Sequence, residues 1–500
     1  MNEFWNAIRY LLFFSLFYLI SISAPAQKHD NTWIFGYYAS AISPVAGLDF
    51  YFGAPNSVGF NPPFNFIGSS DACMSNAAGD LQFYSNGSQV ANWNNQILSN
   101  SSGFNVDSSG NYYNEYWQGA LPIPFPDHPE QYVLFHLCGV YYNNNASLAA
   151  FKLFYSLIDM NANNGLGDMI LKNQVVFSDT LLPCTMQATR HANGRDWWIV
   201  NHKAYSNKFY VSLLTPDGVV QNNSFNTGPS LTYFSISEGQ SEFSPDGSKF
   251  AMAYNTFNSV YLFDFDRCSG VISYRDSVQI VPNDSTEWPV WGCAFSPNSR
   301  YLYANTNNDL IQFDTWSPTM DAGMKIVAQH YGGTNYFFRN RLGPDGKMYM
   351  VSWGGKLSLN VMNSPDEGDT LCDFVQDQLQ LVSYHGTTLP DFPNYRLGPI
   401  AGSVCDSLTN ITEFTNEEAF NVSVWPNPNN GTFEVSYLLE SNREGIITIT
   451  DILGKIVYND KLSQFSIRRT FQLSGLKSGV YELTVQSGSH RNALKLLITD

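Results

Sequence analysis

The chain has 500 residues, of which 44% are hydrophobic, 15% aromatic and only 14% charged. This composition excludes intrinsic disorder for most of the chain. The formal net charge of -17 would repel a polyanion, so we expect no nucleic-acid partner. Frequent Gly, Pro, Asn and Ser residues between short aromatic runs favour many short strands over long helices, and an all-β fold is predicted.

The N-terminus has the pattern of an export signal. An apolar run at residues 11–22 follows Arg9 and precedes the A-x-A sequence that ends at Ala26. The run is shorter than the roughly 20 residues that a membrane-spanning helix needs, which makes an uncleaved anchor the weaker alternative. We therefore predict a signal peptide at residues 1–26, cleavage between Ala26 and Gln27, and no transmembrane segment in the mature chain.

The seven cysteines are widely spaced and include no C-x-x-C pair and no metal-ligand cluster. The sequence therefore indicates no metal site and no cofactor. A core of this size needs no disulfides, so buried free thiols are expected for most of them. Cys405 is the exception to test because it lies in a predicted linker.

The middle of the chain repeats a short turn motif. The motif reads FSPDG from Phe243, FSPN from Phe295 and LGPDG from Leu342, and each copy is followed by strand-like residues. Pro presets φ, Asp caps the turn and Gly accepts a positive φ, so each copy predicts a strand, a tight turn and a second strand. A repeat of about 50 residues holds about four short strands.

Weaker copies of the motif occur at residues 74–86, 123–137 and 189–202. A further unit is expected from residues 378–399, closed by a strand at Trp33 to Phe35 from the N-terminus, because ring closure removes exposed sheet edges. These units predict a β-propeller at residues 27–404 with seven blades, with six or eight as alternatives. A propeller is favoured over a sandwich because such units bury their faces against neighbours of the same kind.

The body also contains an ordered set of short stretches outside the turn motif. They are WIFG from Trp33, AGLDF from Ala46, GDLQFYSNG from Gly79, YSLIDMNANNGLGD from Tyr155 and DWWIVNHK from Asp196. Together with the turn motifs, this set resembles a group of exported, WD-repeat-like bacterial propeller proteins found on the surfaces of gliding Gram-negative bacteria. The resemblance implies a fold and a location rather than a ligand.

The last part of the chain differs from the body. Residues 405–420 are acidic and lack strand alternation, which predicts a linker. Residues 421–500 alternate clearly between apolar and polar residues at 433–437, 447–450 and 481–485. Short strands separated by turns predict a small Ig-like β-sandwich.

The tail carries a set of motif residues in a fixed order. They are Pro426, Asn427, Pro428, Gly431, Asp451, Gly454, Lys455, Gly479 and Tyr481. The set resembles the type A C-terminal sorting domain of the type IX secretion system. The resemblance implies a partner, the type IX secretion machinery, and a protein that is secreted or displayed on the outer surface of a Gram-negative bacterium. An ordinary adhesive sandwich domain is the alternative.

The usual catalytic motifs are missing. The sequence has no G-x-S-x-G, no H-E-x-x-H, no P-loop and no G-x-G-x-x-G opening a helix, so no catalytic residue is assigned and an enzyme is the less favoured interpretation. His191 and His202, with Asp196, could form an acid/base pair only if loops bring them together. For ligand binding, Trp288 and Trp291 are the first choices because Pro289 marks a loop between them.

Three functions are consistent with the sequence. The leading hypothesis is a secreted or surface-displayed propeller that binds a glycan or a protein without chemistry of its own. The alternative is an extracellular propeller enzyme that acts on polysaccharide or peptide, which a cluster of ionisable side chains in the central channel would favour. A structural component of the cell surface or motility apparatus is the third.

Overall fold

The computed structural model describes most of the body and most of the tail. The described residues are 27–36, 44–64, 70–106, 116–142, 147–231, 239–280, 290–333, 335–406, 422–437, 445–452, 454–462, 468–473, 475–487 and 490–499. The predicted signal peptide, with Ala26, and residues 407–420 of the predicted linker lie outside them.

The described part of the body forms six antiparallel sheets whose strands follow one another along the chain. The first two sheets consist of β1 (Thr32–Ile34), β2 (Val45–Asp49) and β3 (Asn56–Phe60), and of β4 (Ala72–Ser75), β5 (Leu81–Ser85) and β6 (Val90–Asn92). The third consists of β7 (Ala120–Pro124), β8 (Gln131–Tyr142), β9 (Ser147–Asp159), β10 (Asp168–Arg190), β11 (Trp197–Lys203), β12 (Ser206–Thr215) and β13 (Gly218–Leu231).

The other three sheets of the body have four strands each. They consist of β14 (Gly239–Phe243), β15 (Lys249–Tyr254), β16 (Ser259–Phe265) and β17 (Ile272–Gln279); of β18 (Gly292–Phe295), β19 (Tyr301–Asn305), β20 (Asp309–Asp314) and β21 (Met324–Gln329); and of β22 (Phe337–Leu342), β23 (Met348–Ser352), β24 (Ser358–Met362) and β25 (Phe374–Gln380). Short helical turns lie at Ala162–Gly165, Asn255–Phe257 and Asp369–Cys372.

The seven-stranded sheet is two four-stranded units that share one long strand. The first part of β10 pairs with β9 from Asp168 to Leu181, and its last part pairs with β11 from Leu181 to Arg190. The strand is therefore the fourth of one unit and the first of the next. The number of blades stays a prediction.

The first strands of successive units contact one another around a common axis. These contacts run from β1 to β4, β7, β10, β14, β18 and β22. The ring closes where Tyr349 of β23 packs its ring against Trp33 and Phe50, at centroid distances of 5.7 Å in both cases. Each sheet therefore buries its faces against its neighbours, and the body is propeller-like, as the sequence predicted.

The three copies of the turn motif lie between β14 and β15, between β18 and β19, and between β22 and β23, at the end of the first strand of each sheet. In the turn from β14 to β15, the Asp246 carboxylate accepts hydrogen bonds from the Ser244 hydroxyl at 2.5 Å and from the Ser248 backbone N–H at 2.9 Å. Gly247 has a φ of +71°, and a side chain there would meet the Thr189 hydroxyl. We call this end of the ring the turn end, and the opposite end the loop end.

The predicted closure of the ring is wrong. The strand Thr32–Ile34 pairs with Val45–Asp49 in its own sheet, and Phe374–Gln380 pairs with β24, so no sheet combines the N-terminal strand with residues 378–399. Trp33 is fully buried against the last sheet and contributes its side chain rather than its backbone to the closure. The first and last sheets meet through their faces.

Residues 381–400, which we call the axial segment, run through the ring from the loop end to the turn end. The N–H of His385 donates to the carbonyl oxygen of Lys356, in the connection between β23 and β24 at the loop end. Farther along, the Asn394 side chain donates to the carbonyl oxygen of Pro245 at the turn end, at 2.7 Å. The segment therefore occupies the axis that the first strands surround.

An ion pair and backbone hydrogen bonds hold the end of the axial segment in place. The Arg396 guanidinium forms a two-pronged ion pair with the Asp30 carboxylate, at 2.6 and 2.7 Å. The N–H of Ile400 donates to the carbonyl oxygen of Ala192 in the turn between β10 and β11. The axial segment thus connects sheets that are far apart along the chain.

A disulfide fixes the chain directly after the axial segment. Cys405 pairs with Cys268, which lies in the turn after β16, and the two are separated by 137 residues. The remaining cysteines lie outside this disulfide and are buried, as the sequence predicted for most of them: Cys73, Cys138, Cys184, Cys293 and Cys372. Cys405 thus differs from those cysteines in forming a disulfide, and its position in the predicted linker had marked it for testing.

The tail consists of two sheets around one apolar core. Its strands are β26 (Val422–Trp425), β27 (Thr432–Tyr437), β28 (Gly445–Asp451), β29 (Ile456–Leu462), β30 (Arg468–Gln472), β31 (Gly479–Ser487) and β32 (His490–Ile498). The first sheet has the order β26-β27-β30 and the second β29-β28-β31-β32. Val435 of the first sheet and Ile447 and Leu483 of the second are fully buried in the shared core. An Ig-like classification of this tail stays a prediction.

The disulfide is expected to stabilise the body by restricting the unfolded chain. Cys405→Ser should lower the free energy of unfolding by about 2–4 kcal/mol, since the bond closes a long loop. Urea unfolding followed by tryptophan fluorescence measures the change. A reductant should lower the stability of the wild type by a similar amount and leave the variant unchanged. Equal stability of the wild type with and without reductant would contradict this role.

Candidate functional site

The predicted ligand residue Trp291 lies at the loop end, directly before β18. Its side chain is 6% exposed, and its Nε1 donates to the Asn307 Oδ1 at 2.6 Å. The hydrogen bond fixes the orientation of the indole. Trp288, the other predicted ligand residue, lies outside the described residues. Ligand binding by this pair stays a prediction.

Trp291 belongs to an aromatic cluster that we define as Trp117, Trp291, Phe338 and Trp353. The indoles of Trp291 and Trp353 are stacked, with centroids 6.1 Å apart and an interplanar angle of 20°. The ring of Phe338 contacts both Trp291 and Trp117, at centroid distances of 4.8 and 6.1 Å. The four rings therefore form one continuous aromatic cluster at the loop end, in which Phe338 is fully buried.

Trp353 is the exposed member of the aromatic cluster. It directly follows β23, and it is 44% exposed. Nothing in the sequence distinguishes it from the other tryptophans, because its place beside Trp291 depends on the packing of two sheets. Its exposed indole rests on a buried one, which gives the loop end a rigid flat surface.

A cation lies directly under the aromatic cluster. The Arg339 guanidinium carbon is 4.5 Å from the centroid of the Trp117 ring and 5.7 Å from that of Phe338. One of its terminal nitrogens is 3.7 Å from the Cys184 sulfur. The residue is 2% exposed. Sequence reasoning missed it, because a single Arg in a strand carries no local sign of its surroundings.

A buried ionic network occupies the middle of the axis. The Arg341 guanidinium is 2.5 Å from the carboxylate of Asp391 in the axial segment and 3.3 Å from that of Glu242 in β14. The side-chain amide of Gln118 donates to Asp391 at 3.2 Å and to the carbonyl oxygen of Ser241 at 2.9 Å. The network therefore joins three sheets to the axial segment.

Burial shifts the acidity of the carboxyl groups in this network. Desolvation raises the pKa of Glu242 to about 7, although the nearby Arg341 opposes the shift. Desolvation also raises the pKa of Asp391, again against the effect of Arg341. A carboxyl group with a pKa near 7 can take up or release a proton close to neutral pH.

Asp71, directly before β4, is a third buried carboxyl group. It is 1% exposed, and neither of its oxygens has a hydrogen-bond partner among the described residues. Desolvation, and then the charge of Asp391, raise its pKa well above the usual value. Protonation would remove the cost of burying its charge.

The two histidines that the sequence suggested as an acid/base pair do not meet. The ring Nε2 of His191 is 3.0 Å from the carbonyl oxygen of Cys268, whereas His202 packs edge-on against Phe209. Strand β11 separates them by roughly 20 Å, since each strand residue adds about 3.3 Å. Burial lowers the pKa of His202 to about 3. Both side chains serve packing.

The described residues contain no group of three or more His, Cys, Asp or Glu side chains that could hold a metal ion. Within the same residues, no helix is long and apolar enough to cross a membrane.

The first motif of the tail connects its N-terminal edge to the last strand. The Asn427 side chain donates to the carbonyl oxygen of Lys495 at 2.7 Å and accepts from the N–H of Leu497 at 2.8 Å. Pro426 and Pro428 flank it, and their lack of an N–H prevents a competing strand pairing. Gly431 follows with a φ of +93°.

The second and third motifs of the tail form a turn and a strand start. The Asp451 carboxylate accepts from the N–H of Lys455 at 2.9 Å, across a turn in which Gly454 has a φ of +79°. Gly479 begins β31, and the Tyr481 hydroxyl donates to the carbonyl oxygen of Lys477 at 2.8 Å. The motif residues thus fix the turns and edges of this domain.

Residues 423–499 match the family described as the secretion system C-terminal sorting domain. The tail is a sorting domain of the type IX secretion system, as its motifs predicted. The chain is therefore an exported β-propeller-like protein that is secreted to the cell surface or the extracellular space. No curated protein sequence matches the chain.

The chain is similar to several solved structures at low sequence identity. A protein from Lactobacillus plantarum is 13% identical, with 72% of this chain and 98% of that chain covered and a TM-score of 0.42. The periplasmic gluconolactonase of Pseudomonas aeruginosa is 12% identical, with 72% and 97% covered and a TM-score of 0.38. The Dos1 propeller is 11% identical, with 71% and 82% covered and a TM-score of 0.37.

The raised pKa of Glu242 predicts a pH dependence of stability. Between its ordinary pKa of 4.5 and its folded value of about 7, the folded state binds the proton more tightly, so the free energy of unfolding should fall as pH rises through this window. Glu242→Gln should remove this contribution, at most about 3 kcal/mol. Urea unfolding at pH 5 and pH 8 measures it.

The control for this experiment is Asp217→Asn, at an exposed turn between β12 and β13. It should keep the wild-type pH dependence. If Glu242→Gln shows the same difference between the two pH values as the wild type, the assignment of the raised pKa is contradicted.

Proposed function

We propose that the body binds a glycan at the loop end of its ring, through the aromatic cluster, without chemistry of its own. The observation that supports this is the exposed indole of Trp353 stacked on Trp291, which is itself held by Asn307. Tryptophan offers a large contact area at low conformational cost, and the stacking reduces that cost further. The flat apolar faces of sugar rings fit such a surface.

The axial segment favours binding over catalysis. Asp391 lies in this segment and is 3% exposed, and Asp71 is 1% exposed. A substrate would need to displace part of the chain to reach these carboxyl groups. The loop end, in contrast, already presents Trp353 to solvent.

One observation favours an extracellular hydrolase as a second candidate. Glu242 has a pKa of about 7, a value suited to a general acid or base, and its side chain is 15% exposed. A hydrolase would release product from a glycan that the body retains, and Glu242→Gln would abolish that release. Retention without product supports binding alone.

We further propose a division of the chain for the mature protein. Residues 1–26 would be removed as a signal peptide, residues 27–404 would be the binding body, and residues 405–420 would be a linker to the sorting domain at 421–500. The disulfide of Cys405 supports an end of the body near this residue.

Removing the exposed indole is expected to weaken glycan binding. Trp353→Ala should lower the affinity for a retained glycan at least tenfold, which is about 1.4 kcal/mol, since a central tryptophan commonly carries much of the binding energy. Titration calorimetry against a glycan panel measures it. Trp316→Ala is the matched control, because Trp316 is 66% exposed but lies outside the aromatic cluster. Equal losses in both variants, or none in Trp353→Ala, would contradict the site.

A further inference from the structure

A second aromatic side chain is exposed at the loop end. Tyr331 lies in the connection between β21 and β22 and is 69% exposed. Its main chain is nevertheless fixed, because its N–H donates to the Gln376 Oε1 at 3.2 Å and its carbonyl oxygen accepts from the Gln376 Nε2 at 3.0 Å. The Tyr331 ring therefore faces solvent on a backbone that is held in place, and a fixed aromatic ring offers contact area at low conformational cost.

A short series of contacts joins Tyr331 to Trp353. The N–H of Trp353 donates to the carbonyl oxygen of Tyr336 at 2.8 Å. The ring of Tyr336 lies 5.7 Å from the ring of His330, the residue directly before Tyr331. The two exposed rings thus belong to neighbouring sheets at the same end of the body, and other residues lie between them. They are suited to two different sugar units of one chain.

A polar side chain lies between the aromatic cluster and Tyr331. Asn308 directly follows Asn307, which holds the Trp291 indole, and its carbonyl oxygen accepts from the N–H of His330 at 2.6 Å. The side chain of Asn308 is partly exposed, and its amide hydrogen-bonds to no other residue that the structure describes. An amide both donates and accepts hydrogen bonds, which matches the hydroxyl groups of a sugar.

Two basic side chains lie beside this surface, and neither offers a free charge. The Lys356 ammonium donates to both carboxylate oxygens of Asp377, at 3.0 and 2.8 Å. Desolvation, and then the charge of Lys356, lower the pKa of His330, which keeps its ring neutral at neutral pH. With its net charge of -17, the chain also repels acidic ligands at long range. The surface therefore favours an uncharged ligand.

We propose that the loop end binds an extended, uncharged glycan in two subsites, on Trp353 and on Tyr331, with Asn308 bound to the hydroxyl groups between them. This inference rests on the proposed function and specifies its ligand. Once one sugar unit stacks on Trp353, the binding of another unit of the same chain to Tyr331 is intramolecular, so affinity increases with chain length. A disaccharide is expected to occupy one subsite only.

Titration calorimetry with neutral glucose oligosaccharides of two and six units tests this length dependence. The panel contains both α-linked and β-linked glucose. The wild-type full chain should bind six units of at least one linkage at least tenfold more tightly than two units. Tyr331→Ala should remove most of this preference and change the affinity for two units less than twofold. Trp353→Ala should weaken the binding of both lengths.

Three further variants complete the test. Tyr331→Phe keeps the stacking surface and should keep most of the preference for six units. Asn308→Ala removes hydrogen bonds to the ligand and should weaken the binding of six units about threefold to tenfold. Tyr51→Ala is the matched control, because Tyr51 is 49% exposed but lies in the turn between β2 and β3, and it should behave as the wild type.

Equal affinity of the wild type for both lengths, with Trp353→Ala weakening both, would overturn the second subsite and leave glycan binding standing. Tyr331→Ala behaving as Tyr51→Ala would do the same.

The charge of the ligand is tested separately with six units of glucuronic acid. Tighter binding of this acid than of neutral glucose would overturn the uncharged ligand and leave the proposed function standing. So would an affinity for the neutral ligand that changes more than about twofold between about 0.02 M and about 0.5 M salt. If no ligand binds, or if Trp353→Ala binds all of them as the wild type does, both the inference and the proposed function are overturned.

Discussion

The ion pair between Arg341 and Asp391 is the interaction on which the body depends. Asp391 is carried by a segment that belongs to no sheet, and Arg341 also donates to the carbonyl oxygen of the adjoining Phe392 at 3.1 Å. Burial removes both charged groups from water, which costs free energy. Each group is stabilised instead by its partner and by its hydrogen bonds. These interactions hold the axial segment in one position.

Because the axial segment fills the axis of the ring, the two ends of the ring differ. At the turn end, the axial segment leaves the ring and is fixed by Arg396 and then by the disulfide of Cys405. At the loop end, Trp353 is the member of the aromatic cluster that faces solvent. Between the two ends, the Arg341 guanidinium forms ion pairs with the carboxylates of Glu242 and Asp391.

Much of the architecture was predictable because it depends on interactions between residues that are close in the sequence. The turn at Phe243 to Gly247 and the tail motif around Asn427 act within a few residues, so their patterns are visible in the sequence. The course of the axial segment could not be predicted from the sequence. Its contacts join residues such as Gln118 and Asp391, which are 273 positions apart and have no local signature. Trp353 and Arg339 were missed for the same reason. Trp291 could be selected from its loop sequence, but its burial depends on Asn307 and on a neighbouring sheet.

A double-mutant cycle on Arg341 and Asp391 tests the account most directly. Arg341→Met, Asp391→Asn and the double variant are unfolded in urea as full chains, and the free energies are compared with the wild type. Because each single variant leaves a buried group without its partner, we expect the two changes to be coupled by at least about 1.5 kcal/mol. Additivity within about 0.5 kcal/mol would show that the axial segment is not held by this pair, and would contradict the account.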